Sequence, residues 1–274
     1  MSEPVDVDDL LRKPSIARMY DYFLGGKDNY AIDRDTAEAA LEAYPGAKAF
    51  ARANRTFLSN AVHYLAGEAG IRQFLDIGAG IPTSPNTFEA AQGVAPECRV
   101  VYVDNDPIAL AHGRAFINSD PRGRTAWIQE DLRNPDAILA DHTLSGPDAV
   151  LDLSRPVALM LIAIMHFITD EEGPYDLVRT LIDALPSGSY LMLSHVTPDY
   201  NPVQIARAVA AYEKSGVRAQ VRTRAQVERF LEGLEPVGPG IDLVSRWNAA
   251  GASTVHSSLT DEEVSCYGVV ARKP

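Results

Sequence analysis

The sequence predicts an α/β fold: a seven-stranded, mostly parallel sheet with an antiparallel last strand, plus a helical N-terminal extension. Three observations carry this. From Gln73 onward, apolar strand-like runs alternate with helix-like stretches, the pattern of a parallel sheet covered by helices on both faces. A glycine turn, Gly78-Ala-Gly80, follows the first of those runs, where doubly wound sheets place their ligands. The chain has 274 residues, 46% of them hydrophobic, which suffices for one large domain or one domain with an elaboration.

Taken in order, residues 1–13 are expected to be a flexible acidic leader without the basic and apolar regions of a signal peptide. Residues 14–70 read as a helical extension or lid, interrupted at Gly25-Gly26 and at Pro45-Gly46. Ser15 suits the N-cap of the first helix, and Asp33 or Asp35 that of the next. The helix after Gly46 carries Phe50, Phe57, Leu58, Val62 and Leu65 on one face. Residues 71–274 form the main domain. Its strands are expected at Phe74–Ile77, Val100–Val103, Thr125–Ile128, Val157–Ile162 and Tyr190–Leu193, with Pro107 opening a helix that runs to Asn118. Two more helices span about 201–214 and 223–234, the second with Thr223 and Gln226 in capping-box spacing. Gly240–Trp247 and Val264–Ala271 read as closing strands, joined as an antiparallel hairpin at the sheet edge.

Composition narrows the function. A net charge of −12 argues against nucleic acid as partner, because phosphate contacts dominate that affinity. No apolar run reaches the roughly 18 residues of a membrane helix, so no membrane partner is expected and the cytoplasm is the expected location. Cys98 and Cys266 are expected to be free thiols, and no His/Cys cluster suggests a metal. A small molecule is the expected partner. The oligomeric state is not specified.

The residues following each strand hold the candidate site. Asp76 stands at the end of the first strand, where an unpaired carboxylate is costly to bury and needs donors from a ligand. Gly78, Ala79, Gly80 and Thr83 follow it. Asp104 and Asn105 follow the second strand; Asp104 either accepts both hydroxyls of a ribose or, with Asp106, caps the helix at Pro107. Asp131 and Leu132 follow the third, as adenine partners or as ordinary loop residues. Ala163 begins the segment after the fourth. A dinucleotide fingerprint needs a small residue three positions after the second glycine, and Thr83 stands there. Asp76 would also face a phosphate badly. The order of acids suits a ligand with an amino group, a ribose and an adenine but no phosphate, which is the chemistry of S-adenosylmethionine.

At these residues the chain resembles the class I S-adenosylmethionine-dependent methyltransferases. More narrowly, it is similar to a bacterial S-adenosyl methyltransferase family formerly catalogued as a domain of unknown function. The narrower resemblance rests on Pro14-Ser-Ile-Ala-Arg-Met-Tyr20 and its continuation to Tyr30 with Asp33-Arg34. It extends through Ala53-Asn-Arg-Thr-Phe-Leu58, Gln73–Gly80 with Ile81-Pro-Thr83, Val101–Pro107, Arg155-Pro-Val157 and His166-Phe167. It implies a Rossmann-like methyltransferase fold. It further implies that Asp76, Gly78 and Gly80 line the methionine end of the cofactor, Asp104 and Asn105 its ribose, and Asp131 and Leu132 its adenine.

Arg18 or Arg55 offers a planar fork for the cofactor carboxylate, and Tyr20 a ring face for the sulfonium. The Gly25-Gly26 pair is either a helix C-cap or part of a lid. His195 and His166 are the candidate general bases, although a histidine in an apolar run is also a common packed residue. The leading expectation is transfer of a methyl group to an oxygen or nitrogen of a small molecule. The alternatives are an S-adenosylmethionine-binding sensor without turnover and an NAD-dependent oxidoreductase.

Overall fold

Burial on both faces sets the centre of the sheet. β1 (Gln73–Ile77) is buried at all five positions, as a parallel strand between two helical layers must be. The computed structural model describes residues 12–116, 119–248 and 258–274. The expected leader 1–13 and the helix end at Asn118 therefore lie partly outside the described residues.

Before β1 come α1 (Ile16–Leu24), α2 (Ala31–Ala43) and α3 (Ala47–Gly67). After it the chain alternates: α4 (Thr87–Val94), β2 (Arg99–Asp104), α5 (Pro107–Phe116), β3 (Arg124–Gln129), α6 (Pro135–Ala140) and β4 (Ala158–Ile162). Then follow α7 (Pro174–Asp183), β5 (Tyr190–Val196), α8 (Pro202–Lys214) and α9 (Arg224–Glu228). The short strands β6 (Glu235–Pro236) and β7 (Asp242–Leu243), α10 (Asp261–Val264) and β8 (Cys266–Arg272) close the chain. The strands run in the order β3-β2-β1-β4-β5-β8-β6, with β7 also on β8. Strands β1 to β5 pair in parallel, and β8 is antiparallel to β5 from Tyr190↔Arg272 to Val196↔Cys266.

Three expectations need correction. The closing strands do pair antiparallel (Asp242↔Gly268, Leu243↔Tyr267), but not as a hairpin at the edge: β8 lies inside the sheet, buried from Cys266 to Ala271, with β6 and β7 on its far side. The strand expected over Gly240–Trp247 shrinks to Asp242–Leu243, because the amides of Arg246 and Trp247 both turn back to the Leu243 carbonyl. The N-cap of α2 is Tyr30 rather than Asp33 or Asp35; Asp33 sits at the third helical position and accepts from the Tyr30 amide. Ser15 is the N-cap residue of α1 as expected, although its hydroxyl donates to Asp106 instead of accepting from the first turn. Gly25 ends α1 in the left-handed conformation, the C-cap geometry that glycine adopts without steric cost. Thr223 and Gln226 form the expected capping box.

The helical segment 14–70 divides in its packing. Phe50, Phe57, Leu58, Val62 and Leu65 of α3 join Phe74, Val100, Met160 and Val270 in one sheet-covering cluster. Met19, Phe23, Ala37 and Ala40 of α1 and α2 pack instead with Phe167, Ile205 and Val217, forming a separate cap. Among the described residues, no helix is long and apolar enough to cross a membrane.

Candidate functional site

Strand order reverses between β1 and β4, and there the carboxyl ends open into a cavity of about 560 Å³. The loops after β1, β2, β3 and β4 form its floor and sides, α1 covers it, and Gly216–Arg218 after α8 complete the rim.

The glycine loop is shaped from beneath. The amides of Gly78 and Ala79 donate to the Val103 carbonyl at 2.8 and 3.2 Å, which bends the chain sharply as β1 ends. Gly78 has φ +76°, and a Cβ there would lie 2.8 Å from the Ile164 side chain, so only glycine fits. Gly80 (φ +65°) donates its amide to Asp104 Oδ2 at 2.7 Å.

Two acids dominate the floor. Asp76 is 5% exposed and accepts from Thr87 Oγ at 2.6 Å. Burial pushes its carboxyl up to about 6, against the lowering influence of that hydrogen bond and of Arg55. Asp104 is 7% exposed, and its oxygens accept the amides of Gly80 and Asp106. Burial again raises it to about 6; the two amides pull it down, and the charges of Asp106 and Asp76 push it up. At the next strand end, Asn105 donates to Asp131 at 2.8 Å. Burial raises the Asp131 carboxyl, but the Arg133 amide, Asn105 and the Arg133 charge outweigh it and leave it below the ordinary range. Two further polar atoms of cavity residues, Asn54 Oδ1 and Arg55 Nε, are buried without a hydrogen-bond partner.

All the residues singled out for a cofactor line this one cavity: Arg18, Tyr20, Arg55, Asp76, Gly78, Ala79, Gly80, Thr83, Asp104, Asn105, Asp131, Leu132 and Ala163. Their engagements differ from the simplest expectation. Arg18 is 1% exposed and donates to Asp33 at 2.7 Å and to Asp106 at 3.4 Å, so its fork already grips carboxylates of the protein. Arg55 Nη2 donates to the carbonyls of Thr83 (2.7 Å) and Pro85, holding the loop after β1. The Tyr20 hydroxyl accepts from Asn54 at 2.9 Å and donates to the Ala51 carbonyl, and burial pushes it up to about 12. Ala163 takes φ +53° and donates its amide to Ser194 Oγ at 2.9 Å.

The candidate bases fall elsewhere. Neither His195 nor His166 lines the cavity. His195 is fully buried, with Nδ1 donating to the Val196 carbonyl at 2.7 Å and Nε2 accepting from Arg222 at 3.0 Å. Burial, aided by the Arg222 charge, pushes it down to about 3 despite the Val196 hydrogen bond. His166 packs on Phe167 and His195, and burial holds it well below the usual histidine range. Both are packed groups. Helix α8 also stays outside the cavity at Val203, which is exposed, and at Ile205, which belongs to the cap cluster.

Sequence reasoning missed three contributors. Thr87 holds Asp76, Arg133 holds Asp131, and Gly216–Arg218 reach the rim because Gly216 turns left-handed after α8. Arg133 lies two residues beyond Asp131, a separation at which an arginine reaches back to its neighbour. The other two depend on tertiary approach and leave no local signal.

Comparison with known proteins places the chain among methyl-transferring proteins. The family described as S-adenosyl methyltransferase matches residues 3–274. The crystal structure of a DUF574 family protein from Streptomyces avermitilis MA-4680 is 47% identical, with a TM-score of 0.91 over 96% of this chain and 99% of that one. A Thermobifida fusca YX protein that carries a methyltransferase assignment is 37% identical, with a TM-score of 0.87 over 99% of both chains. A ribosomal RNA small subunit methyltransferase H from Methylorubrum extorquens is 26% identical over 152 residues, 53% of this chain. The matched region spans only 43% of that protein's length.

Proposed function

The chain belongs to the S-adenosyl methyltransferase family, and from that membership we propose that it transfers a methyl group to an oxygen or nitrogen of a small-molecule acceptor. The carrying observation is the cavity at the carboxyl ends of β1 to β4, floored by carboxylates whose own partners leave lone pairs for a ligand. Asp104 is held by backbone amides alone, so a pair of ribose hydroxyls suits its remaining acceptor sites. Asp76 and the orphaned Asn54 Oδ1 are acceptors that suit an amino group. Asp131, Asn105 and Leu132 line the side assigned to adenine.

S-adenosylmethionine supplies an already activated methyl on a sulfonium. The protein's part is therefore to bind, align and exclude water, and alignment alone supplies much of such a rate enhancement. The side of the cavity formed by Ile164, Phe167, Ile168 and Val217 is apolar and suits an acceptor body. With both histidines packed elsewhere, this reading uses no histidine base.

The details weigh against a dinucleotide. The first turn of α4 is closed by a reciprocal capping box between Asn86 and Glu89, so a glutamate stands where a pyrophosphate would need free amides. The net charge of −12 favours a small acceptor over ribosomal RNA.

Calorimetric titration with S-adenosylhomocysteine, followed by turnover against a panel of small hydroxyl and amine compounds, tests the proposal. Binding plus formation of methylated product is expected. Absence of binding sinks the cofactor assignment, whereas tight binding with no product from any acceptor sinks the transferase assignment.

A further inference from the structure

One cluster of buried charges joins the N-terminal cap to the cavity floor without belonging wholly to either. Asp33 is fully buried in α2 and does not line the cavity. It accepts from Arg18 Nε (2.7 Å), from the Ser15 amide (2.8 Å) and from the Tyr30 amide (2.8 Å). Arg18 passes the contact on: Nη1 reaches Asp106 at 3.4 Å, Nη2 donates to the Lys13 carbonyl at 2.9 Å, and the guanidinium lies over the Tyr30 ring. Ser15 Oγ donates to the same Asp106 oxygen. Asp106 in turn donates its amide to Asp104 Oδ1 at 2.8 Å, and Asp104 Oδ2 takes the Gly80 amide. The path Asp33–Arg18–Asp106–Asp104–Gly80 is continuous from the cap to the glycine loop.

We propose that Arg18 is a positioning residue which, held by Asp33, fixes the Asp106–Asp104 turn and so sets the ribose-binding acid, rather than a ligand of the cofactor carboxylate. The proposal rests on reading the cavity as an S-adenosylmethionine site. Its physical basis is the cost of leaving any member unpaired. Removing one partner of a buried ion pair strands the other charge, and the neighbouring backbone moves to relieve it. Here the backbone that must move carries Asp106 and, two residues earlier, Asp104.

Two ligands separate the roles: S-adenosylhomocysteine, which has the amino-acid end, and adenosine, which lacks it. Binding of both is measured by calorimetry on the full chain for Asp33→Asn and Arg18→Met, with circular dichroism to confirm folding. Amide hydrogen exchange over residues 76–80 is followed without ligand. The expected result is a loss of tenfold or more for both ligands in both variants, in the same proportion, with faster exchange at the glycine loop. Weakening of S-adenosylhomocysteine alone, in Arg18→Met alone, would overturn the proposal and make Arg18 a carboxylate ligand. Unchanged binding of both ligands would also overturn it. If a single variant fails to fold, the double variant Arg18→Met/Asp33→Asn removes the inner pair but still leaves the buried Asp106 without its cation, so the same loss of both ligands and faster loop exchange are expected. If the unaltered protein binds neither ligand, the cofactor assignment falls, and unchanged loop exchange in the variants would then overturn the positioning role separately.

Discussion

Replacing Asp76 with asparagine should stabilise the ligand-free protein at neutral pH while weakening cofactor binding. The carboxyl is nearly enclosed, and its folded-state pKa lies near 6 against an ordinary 3.8. Because the folded value is the higher one, the folded chain holds the proton more tightly than the unfolded chain. Below about pH 4 the group is neutral in both states and adds no penalty. Between about pH 4 and 6 stability falls as pH rises, and above about 6 the full cost of the buried charge stands. At 1.36 kcal/mol per tenfold, a rise of this size corresponds to roughly 3 kcal/mol. Asparagine is close in shape and keeps an oxygen for the Thr87 hydroxyl, so most of that cost is recovered. Urea unfolding of Asp76→Asn is expected to show a gain of about 1–3 kcal/mol at pH 8 that vanishes near pH 4. The same variant should bind S-adenosylhomocysteine at least tenfold more weakly. A loss of stability at pH 8, or a gain independent of pH, would refute the view that Asp76 is a strained acid awaiting a ligand.

Three further outcomes follow from the same geometry. Gly78→Ala puts a Cβ at 2.8 Å from Ile164 with φ +76°, and should cost about 1–3 kcal/mol in denaturant unfolding while lowering cofactor affinity. Phe57→Ala empties a fully buried site packed edge-on to Trp247 at 5.3 Å, and should cost about 3–5 kcal/mol with affinity retained per folded molecule. His195→Gln should leave cofactor affinity within about twofold, since the ring lies outside the cavity; a larger change would restore its claim to the site. Because burial holds His195 near pKa 3, below its ordinary 6.5, the unfolded chain takes up the proton first as pH falls, and stability declines from about pH 6.5 downward. That decline should flatten in His195→Gln when unfolding is compared at pH 7 and 5.

The central strands and the acids at their ends were legible because each depends on local order along the chain. Apolar Phe74, Leu75 and Ile77 around Asp76, followed by a glycine turn, specify a buried strand, its exit and an acid at the mouth, whatever packs outside. The short extent of β7 was not legible, since its pattern of apolar residues is cut short by turns back to the Leu243 carbonyl. The interior place of β8 was equally hidden, because an antiparallel strand pairs with whichever neighbour the chain's return brings alongside. Arg18 was legible as a cavity residue but not in its engagement. Its partners Asp33 and Asp106 stand 15 and 88 residues away, and only the fold makes them neighbours.

The misplacement of His195 has a simpler cause that strand geometry could have exposed. Side chains alternate across a strand, so residues two apart share a face. Leu75 and Ile77 of β1 pack in one cluster with Leu159, Leu161, Leu191 and Leu193, whereas Phe74 packs on the opposite face with Ala158, Met160 and Met192. Asp76 continues the row of Phe74, and Ser194 continues the row of Met192. His195 continues the row of Leu191 and Leu193, and its ring accordingly stacks on Phe230 at 6.1 Å. Register therefore puts Ser194, not His195, on the face that Asp76 occupies, and Ser194 is the residue that holds the Ala163 turn at the cavity. A side chain that is to stand beside Asp76 needs a place at a strand's carboxyl end and also the right parity along the strand; Ile77, of the other parity, borders the cavity but packs its side chain in the opposite cluster. Asp76 meets both, and His195 meets only the first.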